Sequence, residues 1–210
     1  DLKADELVFL DIEATKENRL ISLKLVEEIG EEANMPFAVG GGIKTIEDIQ
    51  NIIAAGAEKV ILSTIACEKP DFVKEAADTF GSSTILVCID VKKKFLKGNQ
   101  VWYLNGSKST SYSPIEFAQK MEEMGAGELI IQSIERDGTM MGYDIELIKS
   151  ISENVKIPVI ALGGAGSNED LEKGFHDAFA NGLAAGSLFV YHGPRKGVLI
   201  NYPEKKEVHF

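Results

Sequence analysis

Carboxylates that stand where a strand should end are the first residues in this chain whose type and place suggest chemistry. Asp90 closes the apolar run Ile85-Leu86-Val87-Cys88-Ile89, a position where an unpaired carboxylate is costly unless it faces an open mouth. Asp11, Glu135 and Asp137 occupy comparable points after other apolar runs, and several carboxylates around one mouth can divide acid and base roles. The plainer alternative for Asp90 is a helix cap or an ion pair with one of the lysines that follow it. Glycine-rich turns form a second group: Gly40-Gly41-Gly42 before Thr45-Ile46-Glu47-Asp48, and Gly163-Gly164-Ala165-Gly166 before Ser167-Asn168-Glu169-Asp170, with Gly186-Ser187 beside the latter. Backbone N–H groups at such turns can point at a phosphate. One such turn is usually only a turn. Two, each neighboured by a small hydroxyl at a strand end (Ser63-Thr64 and Ser187), suggest two phosphate sites on opposite sides of a mouth and a substrate phosphorylated at both ends. Glu6, Lys59 and Glu128 each open a strand; on position alone they read as charge that trims strand starts.

The elements that must hold these residues are short apolar runs alternating with amphipathic stretches. The runs cover residues 7–11, 36–39, 59–63, 84–90, 128–134, 157–162 and 182–189, and helical patterns such as Ile46, Ile49, Ile52 and Ile53 lie between most of them. Fully apolar strands alternating with helices predict an α/β fold with a parallel sheet covered by helices, either closed as a (βα)8 barrel or open and doubly wound. An internal repeat favours the barrel. Gly40-Gly41-Gly42 maps onto Gly163-Gly164-Ala165, and Ser63-Thr64 onto Gly186-Ser187, both at an offset of 123 residues; Asp11 maps onto Glu135 at 124. Two half-barrels of four βα units each account for this. Seven strands are readable, the second to eighth of such a barrel, so the first βα unit is expected on roughly 40 further N-terminal residues. Residues 1–210 then form one domain, with a hairpin inserted at about 91–113 that turns at Gly98-Asn99 on the face where barrel active sites are built.

Composition excludes other classes. Of 210 residues 44% are hydrophobic and the formal net charge is −11, which disfavours a sequence-independent grip on nucleic acid or an anionic membrane. Cys67 and Cys88 lie beside or inside apolar runs with no second Cys or His at metal-ligand spacing. Reduced thiols in a cytoplasmic protein, with no metal or other cofactor, are the expectation.

The segments DELVFLDI, PFAVGGGI, GAEKVILSTIA, LVCIDVK, GAGELIIQSIERDGTMMGYD and IPVIALGGAG, in this order and spacing, resemble the synthase subunit of imidazole glycerol phosphate synthase, the HisF type. The resemblance extends to about Val190. It implies a (βα)8 barrel of two half-barrels. It also implies a HisH-like glutaminase docked on the barrel bottom to form a heterodimer. Ammonia would cross the barrel to a bis-phosphorylated ribulosyl substrate that is cleaved and cyclised at the top. By motif, Asp90 matches one of two essential acid/base aspartates; the other lies on the family's first strand. Asp137 and Gly138 of ERDGT match substrate and phosphate contacts, with Glu135 beside them in the catalytic group. Gly42, Ser63, Thr64, Gly164, Gly186 and Ser187 match further contacts, and Asp11, Gly41 and Gly166 complete the binding set. Glu6, Lys59 and Glu128 match a charged gate at the ammonia entrance, and Glu58 an acidic contact to the glutaminase. The resemblance thus reassigns the strand-start charges.

Departures from the family pattern qualify the substrate. Glu135 replaces the usual Asp of DRDGT, Ser63 an Asn, and Leu162 the Ser of ASGGAG. ERDGTMMGYD and GPRKGVLINYP are more similar to a HisF paralogue of surface-polysaccharide clusters. Three readings follow. In the first the chain is the synthase subunit of histidine biosynthesis. In the second it supplies ammonia for acetamidino modification of a sugar, and in the third it is a non-catalytic barrel that activates the glutaminase.

Overall fold

The computed structural model describes residues 4–192, 197–198, 202–203 and 208. Of the tail carrying GPRKGVLINYP, residues 193–196 and 199–201 lie outside these.

Seven parallel strands lie side by side: β1 (Leu7–Leu10), β2 (Phe37–Gly40), β3 (Lys59–Leu62), β4 (Ile85–Lys94), β7 (Glu128–Ser133), β8 (Val159–Leu162) and β9 (Gly182–Ala184), in that spatial order. Helices α1 (Leu23–Glu32), α2 (Ile46–Ala54), α4 (Pro70–Phe80), α5 (Pro114–Glu123), α6 (Ile145–Ser152) and α7 (Asn168–His176) fill the crossovers, and the short α3 (Thr64–Glu68) follows β3 directly. This is a TIM-barrel type α/β fold, the sheet curling toward closure with its helices outside. Among the described residues β1 and β9 pair with β2 and β8 but not with each other.

Strands β2, β3, β4 and β7 bury both faces, whereas β1 and β9 are partly exposed, and alternate residues enter two separate apolar clusters. Val39, Val60, Val87, Leu129 and Ile131 meet the helices in the larger cluster, while Ala38, Ile61, Leu86, Cys88 and Ile130 form a small inner one with Val8, Leu10, Ile160 and Leu162.

The two halves repeat a backbone device as well as a motif. Gly42 (φ +69°) sits so close to the 12–20 loop that a Cβ would lie 1.9 Å from the Arg19 carbonyl oxygen; Gly164 (φ +111°) sits against the Gly142 carbonyl at 2.3 Å. Each glycine lets its strand end pass under the preceding loop. The following helices start alike: Thr45 Oγ1 accepts from Asp48 N, and Ser167 Oγ from Asp170 N.

Two expectations are corrected. The apolar run 182–189 is strand only to Ala184; Phe189 N and Val190 N both donate to the Gly186 carbonyl, turning 187–190 into the short helix α8 (Ser187–Val190). A short apolar run does not itself distinguish strand from helix. The inserted hairpin pairs β4 with β5 (Gly98–Tyr103), and β5 continues to β6 (Lys108–Ser109). Its turn is three residues earlier than Gly98-Asn99: Lys94 pairs with Gly98, Leu96 takes φ +61°, and Asn99 is already in the return strand opposite Lys93.

Candidate functional site

Period-two alternation places Lys59, Ile61 and Ser63 on one face at β3, Leu86, Cys88 and Asp90 on β4, and Glu128, Ile130 and Gln132 on β7. These residues form one inner column. At the strand starts Lys59 Nζ donates to Glu6 Oε2 at 2.9 Å and to Glu128 Oε1 at 2.8 Å, all three side chains being 20–29% exposed. Burial disfavours the Lys59 ammonium, but its hydrogen bonds to Glu128 and Glu6 outweigh that and hold its pKa above the usual lysine value. Glu6 Oε1 is buried and accepts no hydrogen bond from the described residues. Glu58, also at this end, is exposed and accepts from Phe37 N at 2.8 Å, which caps the start of β2.

The opposite ends of the same strands open on a cavity of about 280 Å³. Asp11, Gly41, Gly42, Ser63, Thr64 and Asp90 all line it. Asp90 Oδ2 accepts from Ser63 Oγ at 3.2 Å, and Oδ1 faces Cys88 Sγ at 3.6 Å. Burial pushes the Asp90 carboxyl up to about 6 against these two hydrogen bonds, with the charge of Asp137 adding to the rise. A carboxyl that titrates near neutrality can both give and take a proton at physiological pH.

Asp11 is differently placed. Its Oδ2 accepts from Arg19 Nη1 at 2.5 Å and its Oδ1 from Glu13 N and Ala14 N at 3.1 Å. The Arg19 hydrogen bond, above all, keeps its pKa below the usual range despite some burial. Asp11 therefore stays ionised and anchors the 12–20 loop beside the mouth.

Glu135, Asp137 and Gly138 are not among the walls of this cavity. Asp137 Oδ2 accepts from Gln132 Nε2 at 3.3 Å, and Glu135 Oε2 from Lys93 N at 3.4 Å. Gly138 (φ +70°) has open space where a Cβ would be, whereas Gly166 packs on the Met140 carbonyl and Gly164 on that of Gly142. Gly164, Gly166, Gly186 and Ser187 are not among the cavity walls. Two helix starts after the glycine turns are already satisfied internally: Lys44 N and Thr45 N donate to Asp48 Oδ2, and Gly166 N to Asp170 Oδ2. Thr64 Oγ1 accepts from Leu104 N at 3.3 Å, and Asn105 Nδ2 donates to the Ile12 carbonyl, so the turn between β5 and β6 is strapped across the cavity rim.

Sequence reasoning missed Cys88, Gln132, Arg19 and Asn105. For the first two the signal was available: alternation counted from Asp90 and Glu128 puts both on the inner face. Among the described residues no group of three or more His, Cys, Asp or Glu is placed to hold a metal, and no helix is long and apolar enough to cross a membrane.

A family described as "Histidine biosynthesis protein" matches residues 1–194. The chain is 43% identical over 202 residues to "Putative imidazole glycerol phosphate synthase subunit hisF2" of Pseudomonas aeruginosa, a match covering 96% of this chain and 80% of that protein. It is 44% identical to the similarly named HisF of Leptospira borgpetersenii over 96% of this chain and 80% of that one, and 41% identical to that of Leptospira interrogans over 98% and 81%.

Proposed function

Since the chain belongs to the histidine biosynthesis protein family, as a HisF-type synthase subunit, we propose that it receives ammonia at the Glu6–Lys59–Glu128 end of its inner column and uses it at the Asp90 end. One relationship supports this reading above the others: the ion-pair triad and the proton-exchanging carboxyl stand at opposite ends of the same strands. Lys59 opens β3 and Ser63 directly follows its end, four residues on, about 13 Å away. The side chains between them are those of the small apolar cluster. Such a lining neither binds ammonia tightly nor protonates it, and a neutral nucleophile arriving beside Asp90 is what a cyclisation needs. A glutaminase docked over the strand starts, near Glu58, is the source of the ammonia.

At the mouth Asp90 shuttles protons as the carbon–nitrogen bond forms and the substrate is cleaved. Asp137 and Glu135 provide the further carboxylates. Asp11 with Gly41 and Gly42, and Ser63 and Thr64, hold one end of a phosphorylated substrate, and Gly138 stands on the side of the other end, after Asp137, which packs against Gly163. Gly164, Gly166, Gly186 and Ser187 hold the other. The first substrate to try is the bis-phosphorylated ribulosyl intermediate that yields imidazole glycerol phosphate in histidine biosynthesis.

A specific observation favours a second acceptor. The Ser63 hydroxyl already donates to Asp90, so a phosphate there competes with a bond already made, whereas Thr64 only accepts, from Leu104 N, and keeps its own proton to give. This is in keeping with a paralogue that passes ammonia toward acetamidino modification of a sugar.

The test combines full-length protein with its cognate glutaminase, glutamine and the ribulosyl intermediate, following loss of the intermediate and release of glutamate. Turnover within a few decades of the ~10 s⁻¹ typical of enzymes supports histidine synthesis. Glutamate release stimulated without loss of the intermediate supports the second acceptor.

A further inference from the structure

Two polar side chains between the carboxylates of the mouth have no part in the chemistry above. Gln132 Nε2 donates to Asp137 Oδ2 at 3.3 Å, and its Oε1 lies 3.8 Å from Cys88 Sγ, which is itself 3.6 Å from Asp90 Oδ1. Resting on the proposed function, we infer that Gln132 is a positioning residue: it bridges Asp137 to Asp90 through the Cys88 thiol and so sets how readily Asp90 exchanges its proton.

The argument is one of donor and acceptor counting. A glutamine amide donates only from nitrogen and accepts only at oxygen. With Nε2 given to Asp137 Oδ2, Oε1 is left as the acceptor that faces the Cys88 thiol. The Cys88 thiol, raised well above the usual range by burial and by the nearby Asp90 charge, keeps its single proton. That proton has two acceptors within reach and serves one at a time. While Asp90 is ionised the thiol donates to Oδ1. When Asp90 takes up a proton, the thiol turns its own toward Gln132 Oε1. No bond to sulfur is made or broken; only the direction of the S–H changes.

Other groups face Asp90 without making this link. Ser63, just after β3, donates to the other oxygen. Lys44 and Glu68 line the same cavity, and Asp11 across it is committed to Arg19. Cys67, on α3, is a raised and protonated thiol.

The test is a titration of full-length protein carrying 13C-labelled Asp carboxyl groups, with the Asp90 signal assigned by its loss in Asp90→Asn. In Gln132→Met, and in Gln132→Leu as a second variant, the thiol proton is committed to Asp90 and Asp137 loses its donor. The Asp90 midpoint is expected to fall by about 0.5–1 pH unit. In Cys88→Ala Asp90 loses a donor and the midpoint rises; Cys88→Ser restores it. Mere loosening that admits water would lower the midpoint at both positions. A midpoint unmoved within about 0.2 units in the Gln132 variants, or shifts of the same sign at both positions, would overturn the bridge. The titration uses no substrate, so opposite shifts in a protein without turnover keep the bridge and sink the proposed function. Turnover with an unmoved titration does the reverse.

Discussion

Ser63 and Asp90 meet across neighbouring parallel strands, hydroxyl to carboxylate at 3.2 Å, although 27 residues separate them. The bond lowers the pKa of a carboxyl that burial raises. Ser63→Ala should therefore move the Asp90 midpoint further above about 6. The acidic limb of the pH–rate profile should move the same way, by about half a unit to one unit. An unchanged limb would mean that Asp90 is not the group titrating.

Asp90 also affects stability. Its folded pKa, about 6, lies above the ordinary 3.8. Its favourable contribution is thus complete below about pH 4 and is lost as the pH rises through 6. Asp90→Asn escapes that loss. It should match wild type in acid and exceed it at pH 7 by up to about 3 kcal/mol in urea unfolding, while turnover disappears and glutaminase stimulation persists. Equal loss of turnover and stimulation would make the residue structural.

At the other end of the column, Lys59→Met leaves Glu6 and Glu128 facing each other without their cation. Because all three are partly solvated, the cost should be about 1–2 kcal/mol, and Glu128→Gln in the same chain should recover part of it. In wild type the raised Lys59 pKa means that this contribution holds below the unfolded lysine pKa and fades as alkaline pH passes the folded one. Glutamate release should continue in Lys59→Met with less of the ammonia captured, read as the ratio of glutamate to product.

The glycines separate structural from binding roles. Gly42→Ala drives a Cβ into the Arg19 carbonyl, whereas Gly138→Ala meets nothing. The first should cost about 2 kcal/mol or more in thermal unfolding, and the second only the roughly 1 kcal/mol of a left-handed alanine. A large loss of substrate affinity in Gly138→Ala, with stability nearly kept, would mark that turn as a contact.

Asp90 was legible because a carboxylate ending an apolar run stands out against its neighbours. Glu6, Lys59 and Glu128 were grouped through the family resemblance, but not by their pairing: Glu6 and Glu128 are 53 and 69 residues from Lys59, and only the strand register brings the three into contact. Cys88 and Gln132 were not read as site residues for a different reason. A thiol inside an apolar run resembles core, and one glutamine in Ile130-Ile131-Gln132-Ser133 carries no charge to flag it. The hairpin turn was misplaced because Gly98-Asn99 is a strong local signal, while the left-handed Leu96 that makes the turn is a leucine in an unfavourable conformation. The fold class, by contrast, follows from alternation and from the repeat of glycine turns, which the 12–20 and 134–142 loops explain physically.

Because side chains alternate with period two, slipping β3 by a single residue would turn Lys59, Ile61 and Ser63 outward together. The ion pair at one end and the hydrogen bond to Asp90 at the other would vanish in the same event. A misregistered chain therefore does not keep the ion-pair triad without the Asp90 contact, or the contact without the triad. Quality control is built into the strand itself, since a chain that folds wrongly here loses both ends of the column at once.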